Sequence, residues 1–230
     1  QYDSVFLGLG LGASRALGLT GEEAPGLMPA VDYIKTLRQT DDLGSLTVAK
    51  RCIVIGAGNT AIDMATQMAR LGATEVTLVY RRGVEAMSAT DHEQEIAKAN
   101  GVRMVTWAQP DEILLDDQGR VAGMRFAKTV EQAGQLSPTG ETIEIAADAI
   151  FKAIGQSFDN TSLADATAAE LARDGERIHV DEMFQTSLPN VYAGGDCVKL
   201  GQDLTVQAVQ HGKLAAHAIH QALAAKQEAA

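Results

Sequence analysis

Residues 51–63 read Arg51-Cys52-Ile53-Val54-Ile55-Gly56-Ala57-Gly58-Asn59-Thr60-Ala61-Ile62-Asp63, RCIVIGAGNTAID, and this stretch decides the fold. Cys52 to Ile55 is a short, wholly apolar, mostly β-branched run and reads as a buried strand. Gly56-x-Gly58-x-x-Ala61 follows as a Gly-rich turn. The pattern then becomes helical, with Ile62, Ala65, Met68/Ala69 and Leu71 recurring every three to four residues until Gly72 stops them. Strand, Gly turn and helix in this order are the context of a dinucleotide fingerprint. In such a fingerprint Gly56 makes the turn, Gly58 lets a pyrophosphate approach the backbone, and Ala61 lets helix and strand pack closely. The free N–H groups of the helix start, at Asn59 and Thr60, would face the phosphates.

The next strand, Glu75 to Tyr80, ends in Arg81-Arg82. A binder of NAD usually carries Asp or Glu there, for the ribose 2′-OH. Two guanidiniums instead favour the 2′-phosphate of NADP, which an Arg pairs bidentately. The alternative is a solvated surface pair, and an Arg stacked on adenine would also tolerate NAD. Asp63, in the second turn of the fingerprint helix, reads as a favourable charge near the helix's positive end rather than a cofactor ligand. Met87, Ser88 and His92 follow the Arg pair, and His92 reads as a surface residue.

Composition narrows the classes. The chain has 230 residues, 46% of them hydrophobic and only 4% aromatic, with a net charge of −11. That supports a packed core and argues against a stacking surface for single strands. No Lys/Arg-rich run supplies the concentrated basic face that nucleic acid or an anionic membrane requires. Two cysteines, Cys52 and Cys197, are too few for a disulfide framework, a zinc site or an iron–sulfur cluster, and both read as buried core residues. No apolar run approaches the ~20 residues of a membrane span, and the cytoplasm is the expected compartment. The chain opens Gln1-Tyr2-Asp3 and enters an apolar strand at once, which reads as a part of a longer protein.

Along the chain, residues 5–12 (VFLGLGLG) read as a buried strand ending in a Gly turn, and 18–29 as a loop. Val31 to Arg38 reads as a short helix, and residues 41–44 as a linker. After the βαβ start come a helix over 92–100, a strand over 102–107, and a hairpin of 112–116 with 121–126. A polar turn at Ser137-Pro138-Thr139-Gly140 precedes a strand over 142–145. A buried strand over 148–154 closes this unit. Then follow an Ala-rich helix over 163–172, short strands at 178–180 and 191–193, and a helix from about Leu204 to Ala225. The apolar face of that last helix is expected at Val206, Val209, Ala216, Ile219 and Leu223.

Four motifs appear in order: VFLGLG at Val5 to Gly10, the fingerprint domain, FKAIG at Phe151 to Gly155, and NVYAGGDC at Asn190 to Cys197 leading into TVQAVQHGKLAA at Thr205 to Ala216. Together they resemble the flavoproteins with two dinucleotide-binding domains that are related to glutathione reductase. The resemblance implies an α/β fold in which a Rossmann-like NAD(P)H domain, a parallel sheet plus β-meander over 46–154, is inserted into an incomplete FAD-binding domain. That FAD domain would be formed by 1–45, with its linker, and by 155–230. The crossings would lie near Leu9-Gly10 and Ala153-Ile154-Gly155. It further implies that Gly195-Asp196 begins the second flavin motif, with Asp196 on the ribityl chain. The helix opening at Thr205 and Val206 would aim its positive end at the isoalloxazine ring.

Within this superfamily the chain is similar to the glutamate synthase small-subunit group. VTLVYRRGVEAMSA, EQEIAKANGV, IFKAIGQ and GGDC…LTVQAVQHGK resemble, in particular, the NAD(P)H-oxidising subunit of bacterial dihydropyrimidine dehydrogenase. Such proteins carry two [4Fe–4S] clusters and the first FAD fingerprint in a preceding half. The implied cofactors are NADP or NAD, and FAD. The implied partner is a catalytic subunit, either that of dihydropyrimidine dehydrogenase or the glutamate synthase large subunit. The CxxC of disulfide reductases is absent from the sequence, so thioredoxin- or glutathione-reductase chemistry is not expected. No acid, base or nucleophile is demanded, because the cofactors carry the chemistry. Two other readings are a single-domain dehydrogenase, which would lack a catalytic constellation, and a non-catalytic nucleotide-binding module.

Overall fold

The computed structural model describes residues 2–159, 161, 163 and 170–228. Its elements in chain order begin β1 (Val5–Leu7), β2 (Ala13–Ser14), β3 (Leu27–Pro29), α1 (Ala30–Gln39), β4 (Arg51–Ile55), α2 (Asn59–Arg70), β5 (Glu75–Val79) and α3 (Asp91–Ala99). They continue β6 (Arg103–Val105), β7 (Ala108–Leu115), β8 (Val121–Gln132), β9 (Gln135–Ala146), β10 (Ala149–Lys152) and β11 (Gln156–Ser157). The chain closes with β12 (Arg173–Asp174), β13 (Arg177–Ile178), β14 (Val191–Ala193) and α4 (Thr205–Glu228). The chain divides into a unit of residues 14–155 and a unit of residues 1–13 with 156–230. Most of the helix expected over 163–172 falls on 164–169, outside the described residues.

The larger unit is built on β4. Its side chains alternate between two cores, as a strand buried on both faces must. Cys52 and Val54 join a cluster with Ala61, Met64, Ala65 and Met68 of α2, Ala97 of α3 and Ala30 of α1. Ile53 and Ile55 join Met124 and Phe126 of β8, with Ile113 of β7, on the opposite face. The parallel sheet runs β3-β10-β4-β5-β6, and the antiparallel meander β7-β8-β9 covers its second face. Local signals set the helix ends. Gly72 leaves α2 at φ +104°, and Thr90 with Glu93 forms a capping box that starts α3.

Three expectations in this unit change. The stretch 18–29, read as a loop, supplies β3, which pairs in parallel with β10 through Leu27–Ile150, Met28–Phe151 and Pro29–Lys152. Pro29 is tolerated because β3 is an edge strand. Residues 14–45 therefore belong to the larger unit, and the division falls at 13/14 rather than 45/46. The turn of the second hairpin is Ala133-Gly134, at φ +51° and +77°, not the Ser137–Gly140 stretch. Two successive positive φ values match the twist of a two-residue hairpin. Ser137 and Pro138 then lie inside β9, which is again an edge.

In the smaller unit β1 pairs in parallel with β14, with Val5, Phe6 and Leu7 opposite Val191, Tyr192 and Ala193. A core of Phe158, Leu171, Ile178, Val180, Ala193, Cys197 and Val198 packs with Leu7 and Leu11. β1 is shorter than expected, and Val5 and Phe6 are exposed rather than buried. The apolar face assigned to the last helix also changes. Val206, Val209 and Ala216 are exposed and Ile219 and Leu223 half-buried, while His211, Ala215 and Ala218 are buried. The inward stripe runs i, i+4 and i+7, a histidine followed by two alanines that allow close approach to the chain behind them.

Candidate functional site

The parallel register carries the ends of three strands to one edge of the larger unit. Ile55 pairs with Val79 and with Lys152, so the residues after β4, β5 and β10 emerge side by side. These are Gly56 to Thr60, Tyr80 to Arg82, and Ala153 to Gly155. The carboxyl edge of a parallel α/β sheet is where such folds bind ligands.

Gly56 has φ +146°, and a Cβ there would stand 2.3 Å from the Ala153 carbonyl oxygen. The fingerprint turn and the FKAIG segment thus approach more closely than any side chain permits. Gly58 precedes α2 in an extended conformation, and a Cβ on it would meet Ser88 Oγ at 3.2 Å. No side chain caps α2. The Ala61 and Ile62 N–H groups both donate back to the Gly58 carbonyl, so the amides of Asn59 and Thr60 stand outermost. Ala61 itself is fully buried, as the fingerprint requires. This bare, uncapped turn fits a pyrophosphate. The loop after β5 backs it, because Ala89 N–H donates to the Ala57 carbonyl at 3.0 Å.

The two arginines separate. Arg82 pairs through Nε with Glu131 of β8 at 3.5 Å. Arg81 is exposed, and its guanidinium makes no ion pair or hydrogen bond with the described residues. Its backbone is held by Thr129 Oγ1, which donates to the Arg81 carbonyl at 2.7 Å. Among the described residues Arg81 is therefore an unpaired cation after β5. Asp63 and His92 are both exposed on their helices and contribute nothing to this edge. Ile154 and Gly155 follow β10, with Gly155 at φ +107° and its carbonyl accepting from Arg15 N–H at 3.2 Å.

One feature of this unit escaped the sequence reading. Lys152 and Glu22 form a part-buried pair at 2.6 Å, with side chains 13% and 10% exposed. Burial pushes the Glu22 carboxyl up, but the Lys152 ammonium and the N–H groups of Leu17 and Gly18 outweigh it and hold it below its ordinary value. The pair ties residues 17–22 to β10.

In the smaller unit β1 and β14 end together, with Leu7 opposite Ala193 and the Gly194 N–H donating to the Leu7 carbonyl, so the Gly8 and Gly194 turns leave the same strand ends. Gly10 has φ +62° with open space around it, and Gly195 has φ +76°. Asp196 is half-buried, and its carboxylate takes no hydrogen bond from the described residues. Its charge acts on the nearby Arg177 guanidinium. Thr205 and Val206 open α4 and are exposed. Sequence reasoning passed over two supports of this region. The Gly195 N–H donates to Nδ1 of the buried His211 at 3.1 Å. Arg177 clasps Asp203 through two bonds of 2.6 and 2.7 Å and also donates to the Val198 carbonyl. Their sequence signals are faint, since a lone His in a helix and an Arg in a hairpin have no distinctive spacing.

The two cysteines are in different units, both buried and unpaired. Burial, with the nearby Asp148 carboxylate, pushes the Cys52 thiol up to about 12. Cys197 Sγ donates to the Gly194 carbonyl at 3.2 Å. Neither is placed as a redox thiol pair. Among the described residues no group of His, Cys, Asp and Glu could hold a metal ion, and no helix is long and apolar enough to cross a membrane.

The sequence profile described as "Pyridine nucleotide-disulphide oxidoreductase" matches residues 1–221. The chain belongs to this family. Relatives include the Glutamate synthase [NADPH] small chain of Escherichia coli strain K12, 33% identical over 95% of this chain and 50% of the relative. The NADP(+)-dependent formate dehydrogenase subunit beta of Moorella thermoacetica is 36% identical over 97% of this chain and 32% of the relative. Among solved structures, T. acidophilum thioredoxin reductase superposes with a TM-score of 0.73 at 22% identity, over 95% of this chain and 65% of that one. The last similarity concerns the fold, a mixed α/β architecture with a parallel sheet. The family member spans half or less of the length of these curated relatives.

Proposed function

We propose that this chain is the NAD(P)H-oxidising portion of a flavin-dependent oxidoreductase that passes electrons to a partner subunit. The larger unit, residues 14–155, would hold the nicotinamide cofactor, and the smaller unit would contribute the second segment of an FAD domain. The single observation that carries the reading is the edge formed by β4, β5 and β10. It joins an uncapped Gly-rich helix start to an exposed, unpaired Arg81.

In this reading Gly56, Gly58, Asn59 and Thr60 take the pyrophosphate on backbone N–H groups. Arg81 takes the 2′-phosphate, and Arg82, already engaged with Glu131, buttresses the loop. Ile154 and Gly155 close the nicotinamide side. Gly10, Gly195, Asp196, Thr205 and Val206 address the flavin, with the positive end of α4 favouring negative charge on it. When bound, the pair of cofactors supplies hydride transfer from nicotinamide to flavin, and the protein supplies position and electrostatics.

The names of the relatives support a subunit of a larger enzyme, with NADP as the nucleotide. A glutamate-synthase-type partner is consistent with them. The finer proposal, a dihydropyrimidine dehydrogenase partner, rests on the sequence motifs alone. The cytoplasm is the proposed compartment, in keeping with two unpaired thiols.

The test is nucleotide selectivity. Losing a charge-assisted bond to phosphate removes about 2 kcal/mol, or roughly thirty-fold in affinity. Arg81→Ala is expected to weaken NADPH by that factor and NADH only slightly. Equal effects on both nucleotides would overturn the 2′-phosphate assignment. A full-length protein without flavin absorbance would overturn the electron-input reading in favour of a simple nucleotide-binding module.

A further inference from the structure

His211 is a buried titratable side chain that the proposed chemistry does not use. It lies on α4, 3% exposed, against the Phe184 ring at 5.1 Å between centroids. Its contacts converge on the Gly194-Gly195-Asp196 turn. A Cβ on Gly194 would stand 3.0 Å from His211 Cβ and 3.1 Å from Phe6 Cζ, so only glycine lets α4 come this close. Gly195 then turns at φ +76°, which points its N–H inward. A half-buried N–H needs an acceptor, and among the described residues no backbone carbonyl supplies one. His211 Nδ1 accepts it at 3.1 Å. An accepting Nδ1 carries no proton, so the imidazole is neutral with its proton on Nε2. That side faces the Gln207 side-chain amide one helical turn earlier, Nε2 to Nε2 at 3.0 Å, and a proton on the imidazole Nε2 requires that amide turned so that its oxygen accepts.

We infer that His211 is a positioning residue for the flavin motif: its Nδ1 fixes the Gly195 turn and thereby the Asp196 carboxylate. The inference rests on the flavin reading of Asp196 given above. In this reading His211 acts through the backbone it holds. Asp196 follows the clamped amide directly, within the same short 3-10 turn, Gly195–Cys197. A backbone shift at Gly195 is therefore carried straight to Asp196. The specific element is the position of the acceptor. An asparagine places Oδ1 one bond beyond Cγ, where imidazole Nδ1 stands, whereas a glutamine places its polar atoms one bond further out and matches Nε2.

Full-length protein is compared as wild type, His211→Asn, His211→Gln and His211→Leu. Flavin affinity is measured by fluorescence titration of the apoprotein, and Gly195 amide exchange by NMR on the flavin-free form. Loss of one hydrogen bond corresponds to about tenfold in either readout. His211→Gln and His211→Leu are expected to bind flavin about tenfold more weakly and to exchange the Gly195 amide about tenfold faster, with His211→Asn near wild type in both. A general packing role would instead rank the variants by thermal stability, with Asn no better than Gln. Flavin affinity equal in all four proteins, or Asn losing as much as Gln, overturns the inference. If wild type binds no flavin, the flavin reading fails. The Gly195 exchange rates then decide alone whether His211 clamps the turn.

Discussion

Replacing Gly56 by alanine should destabilise the larger unit far more than the same change at Gly58, though both belong to one motif. At Gly56 the new Cβ stands 2.3 Å from the Ala153 carbonyl oxygen and 3.0 Å from its carbonyl carbon. Those atoms are backbone and have no rotamer to turn. They are also fixed, since Ala153 N–H donates to the Ile55 carbonyl at 2.8 Å at the end of the β4–β10 ladder. Relief therefore requires strands to separate at the centre of the sheet. A non-glycine residue at φ +146° adds about 1–3 kcal/mol of backbone strain. Overpacking against fixed neighbours adds about 1–3 kcal/mol more. The sum, roughly 2–6 kcal/mol, is a large part of the ~5–15 kcal/mol that holds a domain folded. At Gly58, by contrast, φ is −94° and the neighbour is the Ser88 hydroxyl at 3.2 Å, the end of an exposed side chain. Gly58→Ala should change stability by less than about 1 kcal/mol while weakening NADPH binding, because the added methyl group occupies the approach to the helix start. Urea unfolding followed by circular dichroism gives the stabilities, and fluorescence titration gives the affinities. Gly56→Ala within about 0.5 kcal/mol of wild type, or Gly58→Ala equally destabilised, would refute the assignment of the two glycines to different jobs.

Lys152→Met should cost about 1–3 kcal/mol, because the part-buried Glu22 carboxylate keeps only its two backbone donors, and Glu22→Gln in the same chain should restore part of it; no recovery in the double variant would sink the pairing argument. The Glu22 carboxyl titrates below its ordinary 4.5 in the folded protein, so its contribution is complete above that value and is lost as pH falls through the folded value. Urea midpoints between about pH 6 and about pH 3 should therefore fall more steeply for wild type than for Glu22→Gln. Arg177→Ala removes the clasp on Asp203 and Val198, so tryptic cleavage after Lys199 should quicken about tenfold; an unchanged rate would mean the loop is held otherwise. Iodoacetamide at about pH 8 should label neither cysteine of the native protein and both after denaturation, since both thiols are buried and Cys52 is pushed up to about 12.

Local chemistry made much of the larger unit legible. The apolar run of β4, the glycines after it, the 3.6-residue period of α2, and the capping box of α3 all act within a few residues, so the sequence alone declares them. The arginines after β5 were equally visible. Their difference was not, because Glu131, which engages Arg82, arrives from β8 some fifty residues later.

What the sequence determined by itself was the α/β class, the fingerprint and its place at a strand end, and the order of the motifs that define the family. The tertiary structure decided which weak segments pair and which faces turn inward. Residues 27–29 have little strand character, and they become β3 because β10 offers an unpaired edge more than a hundred residues away. The hairpin turns at Ala133-Gly134 because the register of β8 with β9 selects it over a more turn-like stretch. The last helix turns His211, Ala215 and Ala218 inward and leaves Val206 and Val209 outside. Hydrophobicity alone predicts the reverse, but close approach at Gly194 favours small side chains and a buried imidazole that satisfies one backbone N–H. Periodicity records how apolar a face is; the packing partner sets how near it must come and which polar atoms it must satisfy.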